Sequence, residues 1–159
     1  MVMDTNVAVV ANGRTPQASQ ECVAACVQSL RMLRDRHTVL LDDLGRIFDE
    51  YRRHLSPSGQ PGLGDAFFKW LWDNQCNPGH CRQVRITPTN DDRGFEEFPD
   101  DPALSDFDPS DRKFIAVAIA SGETPPILNA SDTDWWNHRE ALSRNGVTVR
   151  FLCPELMAE

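Results

Sequence analysis

Three observations predict an α/β protein with a mainly parallel central sheet and helices on both faces, a three-layer α/β/α arrangement. Short apolar runs (1–3, 38–41, 126–130, 147–152) alternate with longer stretches whose apolar residues recur at helical spacing. Turn or helix-start signals separate most of these pieces, such as Asn12-Gly13, Asp108-Pro109 and Asn145-Gly146. Parallel strands need crossover connections, and the intervening helices supply them.

The elements follow in order. Met1–Met3 is the first strand, and Val7–Ala11 either extends it or turns into a short helix. The first long helix spans 20–34, with Val23, Cys26, Val27, Leu30 and Leu33 on one face. A β-prone run at 38–41 follows. Asp43 opens a helix whose stripe is Leu44, Ile47, Phe48, Tyr51 and Leu55; at about 100° per residue Glu50 flanks that stripe, together with Asp43 and His54. The Pro- and Gly-rich stretch 56–64 is a loop. It leads to an aromatic helix over 65–74 with Phe67, Phe68, Trp70 and Trp72, a set better suited to core packing than to base stacking.

A short strand is expected over 84–87. In D-P-S-D, Asp108 sits at a helix cap, Pro109 at the first helical position and Asp111 at the third, ahead of a buried Ala-rich helix over 113–121. The strand 126–130 then ends in S-D-T-D, which starts a helix over 135–144 before the last strand.

At 159 residues the chain fits one domain over 1–159, with an irregular acidic insertion at about 88–107. The net charge of −8 disfavours nucleic acid as a partner on average. The excess is local, however, because nine of the acids lie between Asp91 and Asp111 against one base, Arg93. Outside that run acid and base nearly balance. No apolar run reaches membrane-span length, and the N-terminus lacks a secretory pattern, so a cytoplasmic protein without membrane association is expected. Five irregularly spaced cysteines suggest reduced thiols, with Cys22 and Cys26 as packing residues. Cys76, His80 and Cys81 have zinc-like chemistry but no second ligand pair, and read as a loop.

Asp4 and Asp132 follow strands, and in a parallel sheet such loops share one edge, where ligands bind. Asp111 lies at the buried edge of its helix, where a capping role competes with a functional one; Glu50 flanks the helix after the second strand. Carboxylates gathered without matching Lys or Arg repel one another, and Mg²⁺ or Mn²⁺ removes that repulsion. The chemistry implied is metal-assisted hydrolysis of a phosphate ester.

D-T-N-V at the N-terminus, D-E-Y in the second helical region, D-P-S-D-R-K-F-I-A-V-A-I-A and P-I-L-N-A-S-D-T-D occur in an order that resembles a PIN domain over nearly the whole chain. The resemblance implies a ribonuclease, with Asp4, Glu50, Asp111 and Asp132 as catalytic acids and Asp4, Asp111 and Asp132 as metal ligands. It implies auxiliary roles for Asp108 and Asp134, and for Asn6 in orienting the first acid; Asp43 competes with Glu50 for the second place. It further implies an RNA substrate, a toxin role with an antitoxin protein as partner, and a homodimer. The loop 56–64, the aromatic helix and the acidic loop exceed a minimal toxin, and N-A-S-D replaces the commoner T-G-D. A haloacid-dehalogenase-type phosphatase also has an Asp after its first strand, but needs a second Asp where this chain has Asn6. The remaining alternative is a catalytically inactive PIN-like module that binds protein.

Overall fold

A computed structural model describes residues 1–157, and among these it has five short strands, seven α-helices and two short 3-10 helices. In order the strands and α-helices are β1 (Val2–Met3), α1 (Thr5–Ala11), α2 (Gln20–Arg36), β2 (Val39–Asp42), α3 (Arg46–His54), α4 (Leu63–Asn74) and β3 (Cys81–Val84). After the acidic insertion come α5 (Arg112–Ala120), β4 (Ile127–Asn129), α6 (Thr133–Asn137), α7 (Arg139–Arg144) and β5 (Val149–Phe151).

All strand pairs are parallel: β1 with β4, β4 with β5, and β2 with β3. The Met1 ammonium donates to Thr38 O at 2.6 Å and Leu40 N donates to Met1 O at 2.9 Å. These bonds join the two groups of strands in the spatial order β3-β2-β1-β4-β5. The mixed α/β class with a parallel sheet is therefore as expected. Val2 and Met3 are wholly buried, as are Ile127 and nearly so Leu128 beside them, because a central parallel strand is covered on both faces. Buried apolar side chains from β1 to Cys153 form one continuous cluster. No helix among the described residues is long and apolar enough to cross a membrane.

Several elements differ from expectation. The 7–11 stretch is helical, because Asp4 caps α1 by accepting from Asn6 N at 2.9 Å. Asp43 does not open α3. Asp42 does so, accepting from the backbone N of Leu44, Arg46 and Ile47, while Gly45 turns at φ +77°. The aromatic helix starts at Leu63, and Gly64 allows its close approach to α1: a Cβ there would lie 1.9 Å from Ala8 O. The third strand lies at 81–84 rather than 84–87, so Cys81 belongs to β3 and Cys76 is exposed. The single helix expected over 135–144 is two, broken at His138, whose ring reaches back to Asp134 O at 2.8 Å and across to Asp106 at 3.1 Å.

The acidic insertion is irregular but is not simply a solvated loop. Phe95, Phe98, Leu104 and Phe107 from it are buried. Arg112 holds it from α5 by donating to the carbonyls of Asp92, Ser105 and Phe107.

One expectation is overturned outright: Cys22 and Cys153 are disulfide-bonded across 131 positions, with Cα atoms 5.3 Å apart. The C-terminal segment returns to α2 after β5, a meeting that cysteine spacing alone does not reveal. The thiols therefore give no argument for a reducing compartment.

Candidate metal centre

Because β1 and β4 are parallel neighbours in register, with Met3 beside Leu128, the residues that follow them emerge at the same sheet edge. Asp4 leaves β1 there, and Asp132 follows β4. Asp111 joins them from the N-terminus of α5, which packs across β1, β2 and β4. Its carboxyl makes no capping bond to that helix; Oδ2 instead accepts from Trp135 Nε1 at 3.1 Å. Each of Asp4, Asp111 and Asp132 offers one carboxylate oxygen, and these three oxygens all lie within 4.8 Å of one another.

The electrostatics follow from burial and crowding. Burial, then the Asp111, Asp132 and Glu50 charges, push Asp4 well above the usual carboxylate range, against the lowering effect of the Asn6 N–H. Burial raises Asp111 to about 7, with Asp132 and Glu50 adding to it and the Trp135 bond opposing. Asp132 is raised by burial, against backbone N–H bonds from Asp134 and Trp135. The metal-free cluster thus resists full ionisation.

Glu50 lies at the margin of this group. Tyr51 fixes its helix by donating to Met3 O at 2.5 Å. Glu50 Oε1 accepts from Thr5 Oγ1 at 2.5 Å, and Oε2 accepts from the buried Lys113 ammonium. It is close enough to raise Asp4 and Asp111, yet does not share the three-oxygen site.

The auxiliary residues separate into two sets. Asn6 bonds Asp4 through its backbone N, while its side chain accepts from Ala130 N at 2.9 Å and ties α1 to the end of β4. Asp134 accepts from Asp108 N at 2.9 Å, linking the segments that carry Asp132 and Asp111; Asp108 accepts from Ser110 N. Asp43 is not a substitute for Glu50. It is exposed and accepts from Ile86 N at 3.1 Å, fastening the end of β2 to the segment after β3.

Sequence reasoning missed Asn129. This fully buried side chain donates from Nδ2 to Asp4 Oδ2 at 3.1 Å and accepts at Oδ1 from Asp132 N at 3.0 Å. A polar residue ending an apolar strand, three positions before Asp132, was its one available signal. Thr5 was missed as well.

Three hard oxygen donors gathered in this way, crowded and short of countercharge, could hold a divalent cation. Beside them a groove of about 520 Å³ is lined by Glu50, Arg46, Arg52, Arg53, Phe95 and Lys113. Arg46 lies over the Phe95 ring at 5.2 Å, and Arg52 pairs with Asp49 at 3.2 Å. Outside the groove, Lys69 pairs with Asp73, Arg82 pairs with Glu123, and Arg112 is buried on carbonyls. Comparison with protein-family models, curated proteins and solved structures gave no match.

Proposed function

We propose that this chain is a metal-dependent endoribonuclease with a PIN-like three-layer fold, hydrolysing RNA phosphodiester bonds with Mg²⁺ or Mn²⁺ held by Asp4, Asp111 and Asp132. The observation that carries the reading is the set of three carboxylate oxygens within 4.8 Å, two from the segments that follow neighbouring parallel strands and one from the start of α5. A divalent ion there supplies Lewis-acid activation of water and offsets charge on the phosphate. Asn129 and Asn6 hold the first and last of these segments in place, and Trp135 fixes the Asp111 carboxyl. The groove beside the acids is lined by Arg46, Arg52, Arg53 and Lys113 against Asp49 and Glu50, an excess of positive charge that suits a phosphate backbone even on an acidic protein.

Sequence resemblance carries the remaining parts of the reading: a toxin role, an antitoxin protein that restrains it, and a homodimer. The deciding experiment incubates the purified protein with end-labelled single-stranded RNA or DNA in Mn²⁺, Mg²⁺ or EDTA, with Asp4→Asn and Asp132→Asn alongside. Metal-dependent RNA cleavage leaving 5′-phosphate ends, lost in both variants, is the expected result. Full activity in either variant removes this site. A folded protein that neither binds divalent ions nor cleaves leaves the inactive protein-binding module as the better reading.

A further inference from the structure

Lys113 stands where a lysine is expensive to place. It is buried, with its side chain 8% exposed, and it lies in the first turn of α5, where the helix dipole disfavours a cation. Its ammonium donates to Glu50 Oε2 and to Ser110 O, and sits 4.7 Å from the Phe114 ring centroid. The compensation comes from the acid cluster beside it. Glu50 in turn has both oxygens engaged, one by Lys113 and one by Thr5 Oγ1. The fourth acid of the site is thereby committed, while the other three remain grouped.

We propose that the Lys113 ammonium is a built-in cation of this centre, occupying the place between α3 and α5 that a second divalent ion would take, so that the site holds one ion. This rests on the metal-centre reading above and deepens it. Four carboxylates meet at the site, from Asp4, Glu50, Asp111 and Asp132. One ammonium with one divalent ion offsets three of their four charges, and a second ion added to these would leave the centre positive. Glu50 is then a positioning residue that holds Lys113 and Thr5 rather than a metal ligand. Lys113 also lines the groove beside the acids.

The test is the stoichiometry of Mn²⁺ binding to the full chain, read by isothermal titration calorimetry. Wild type is expected to bind one ion per chain, Lys113→Arg also one, and Lys113→Met two, because loss of the ammonium frees Glu50. Two ions in wild type, or one in folded Lys113→Met, overturns this inference while leaving the three-aspartate centre standing. No ion in wild type overturns the centre itself, and this inference with it. Should Lys113→Met fail to fold, Glu50→Gln decides. Retention of one ion with affinity within about threefold of wild type supports a positioning role, and a loss beyond about tenfold makes Glu50 a ligand and overturns the proposal.

Discussion

Asn129 and Asp4, 125 positions apart in sequence, are joined by a buried hydrogen bond of 3.1 Å, and the same amide accepts from Asp132 N. One neutral side chain thus fixes the spacing of two of the three acids and supplies a donor where repulsion is greatest.

Asn129→Ala should therefore lower both stability and metal affinity. The loss leaves Asp4 Oδ2 without its donor inside the protein, which costs about 1–3 kcal/mol. Removing a residue that orients metal-binding groups typically weakens metal affinity about 10- to 100-fold. Urea unfolding in EDTA measures the first effect and Mn²⁺ calorimetry the second. Unchanged affinity would mean that the backbone alone sets the spacing of the acids.

How much of this site was readable from sequence depended on which constraint fixed each residue. Asp4 and Asp132 follow strands, and parallel pairing of β1 with β4 brings such positions to one edge. Helical periodicity placed Glu50 at the flank of its stripe, and the α5 start brought out Asp111. Asn129 was hidden because the end of a buried strand gives no periodic cue for an inward amide. The Lys113–Glu50 pair joins two helices 63 positions apart, and the Cys22–Cys153 bond spans 131. Such partners are chosen by tertiary geometry. Asp43 was misjudged because the Asp42 cap and the Gly45 turn move the start of α3 to Arg46.

The pH dependence of stability should run opposite to that of an ordinary salt-bridged carboxylate. Asp111 is raised from 3.8 to about 7 in the folded protein, and Asp4 is also raised. Between those values the folded state binds more protons than the unfolded state, so stability falls as pH rises from about 4 through 7. In EDTA the unfolding free energy should decline by a few kcal/mol, as an order of magnitude, across that window. Saturating Mn²⁺ should flatten or reverse the slope, because ion binding favours the ionised carboxylates. Denaturant melts at pH 4.5, 6 and 7.5, with and without the ion, check both signs; a rise in metal-free stability with pH would contradict the crowding described here.

The disulfide predicts a thiol count. Cys26, Cys76 and Cys81 are free, so the unfolded, unreduced chain should titrate three thiols and the reduced chain five. In the native state only exposed Cys76 should react quickly, since burial pushes Cys26 up to about 12 and Cys81 up to about 11. Because the bridge closes a very long loop, Cys22→Ser or full reduction should lower stability by about 2–5 kcal/mol. Five reactive thiols in the unreduced, unfolded chain would show that the bridge does not form.

Recognition of RNA is expected to rest on the groove wall, and two of its residues should separate charge from stacking. Arg53 makes no ion pair among the described residues and lines the groove, so Arg53→Ala should remove one phosphate contact if RNA follows the groove. Binding should weaken evenly across RNA sequences, and the slope of log affinity against log salt should shrink by about one. Phe95 presents a ring already covered by Arg46, at 5.2 Å. Phe95→Leu keeps the apolar bulk of a buried position while removing the face on which that guanidinium rests. It should therefore lower affinity with little change in salt slope, because no charge is lost. Fluorescence anisotropy with labelled single-stranded RNA, at several salt concentrations in Ca²⁺ to limit cleavage, measures affinity and slope together. Unaltered affinity and slope in both variants would place the RNA path away from α3 and the acidic insertion, even with the three-aspartate centre intact.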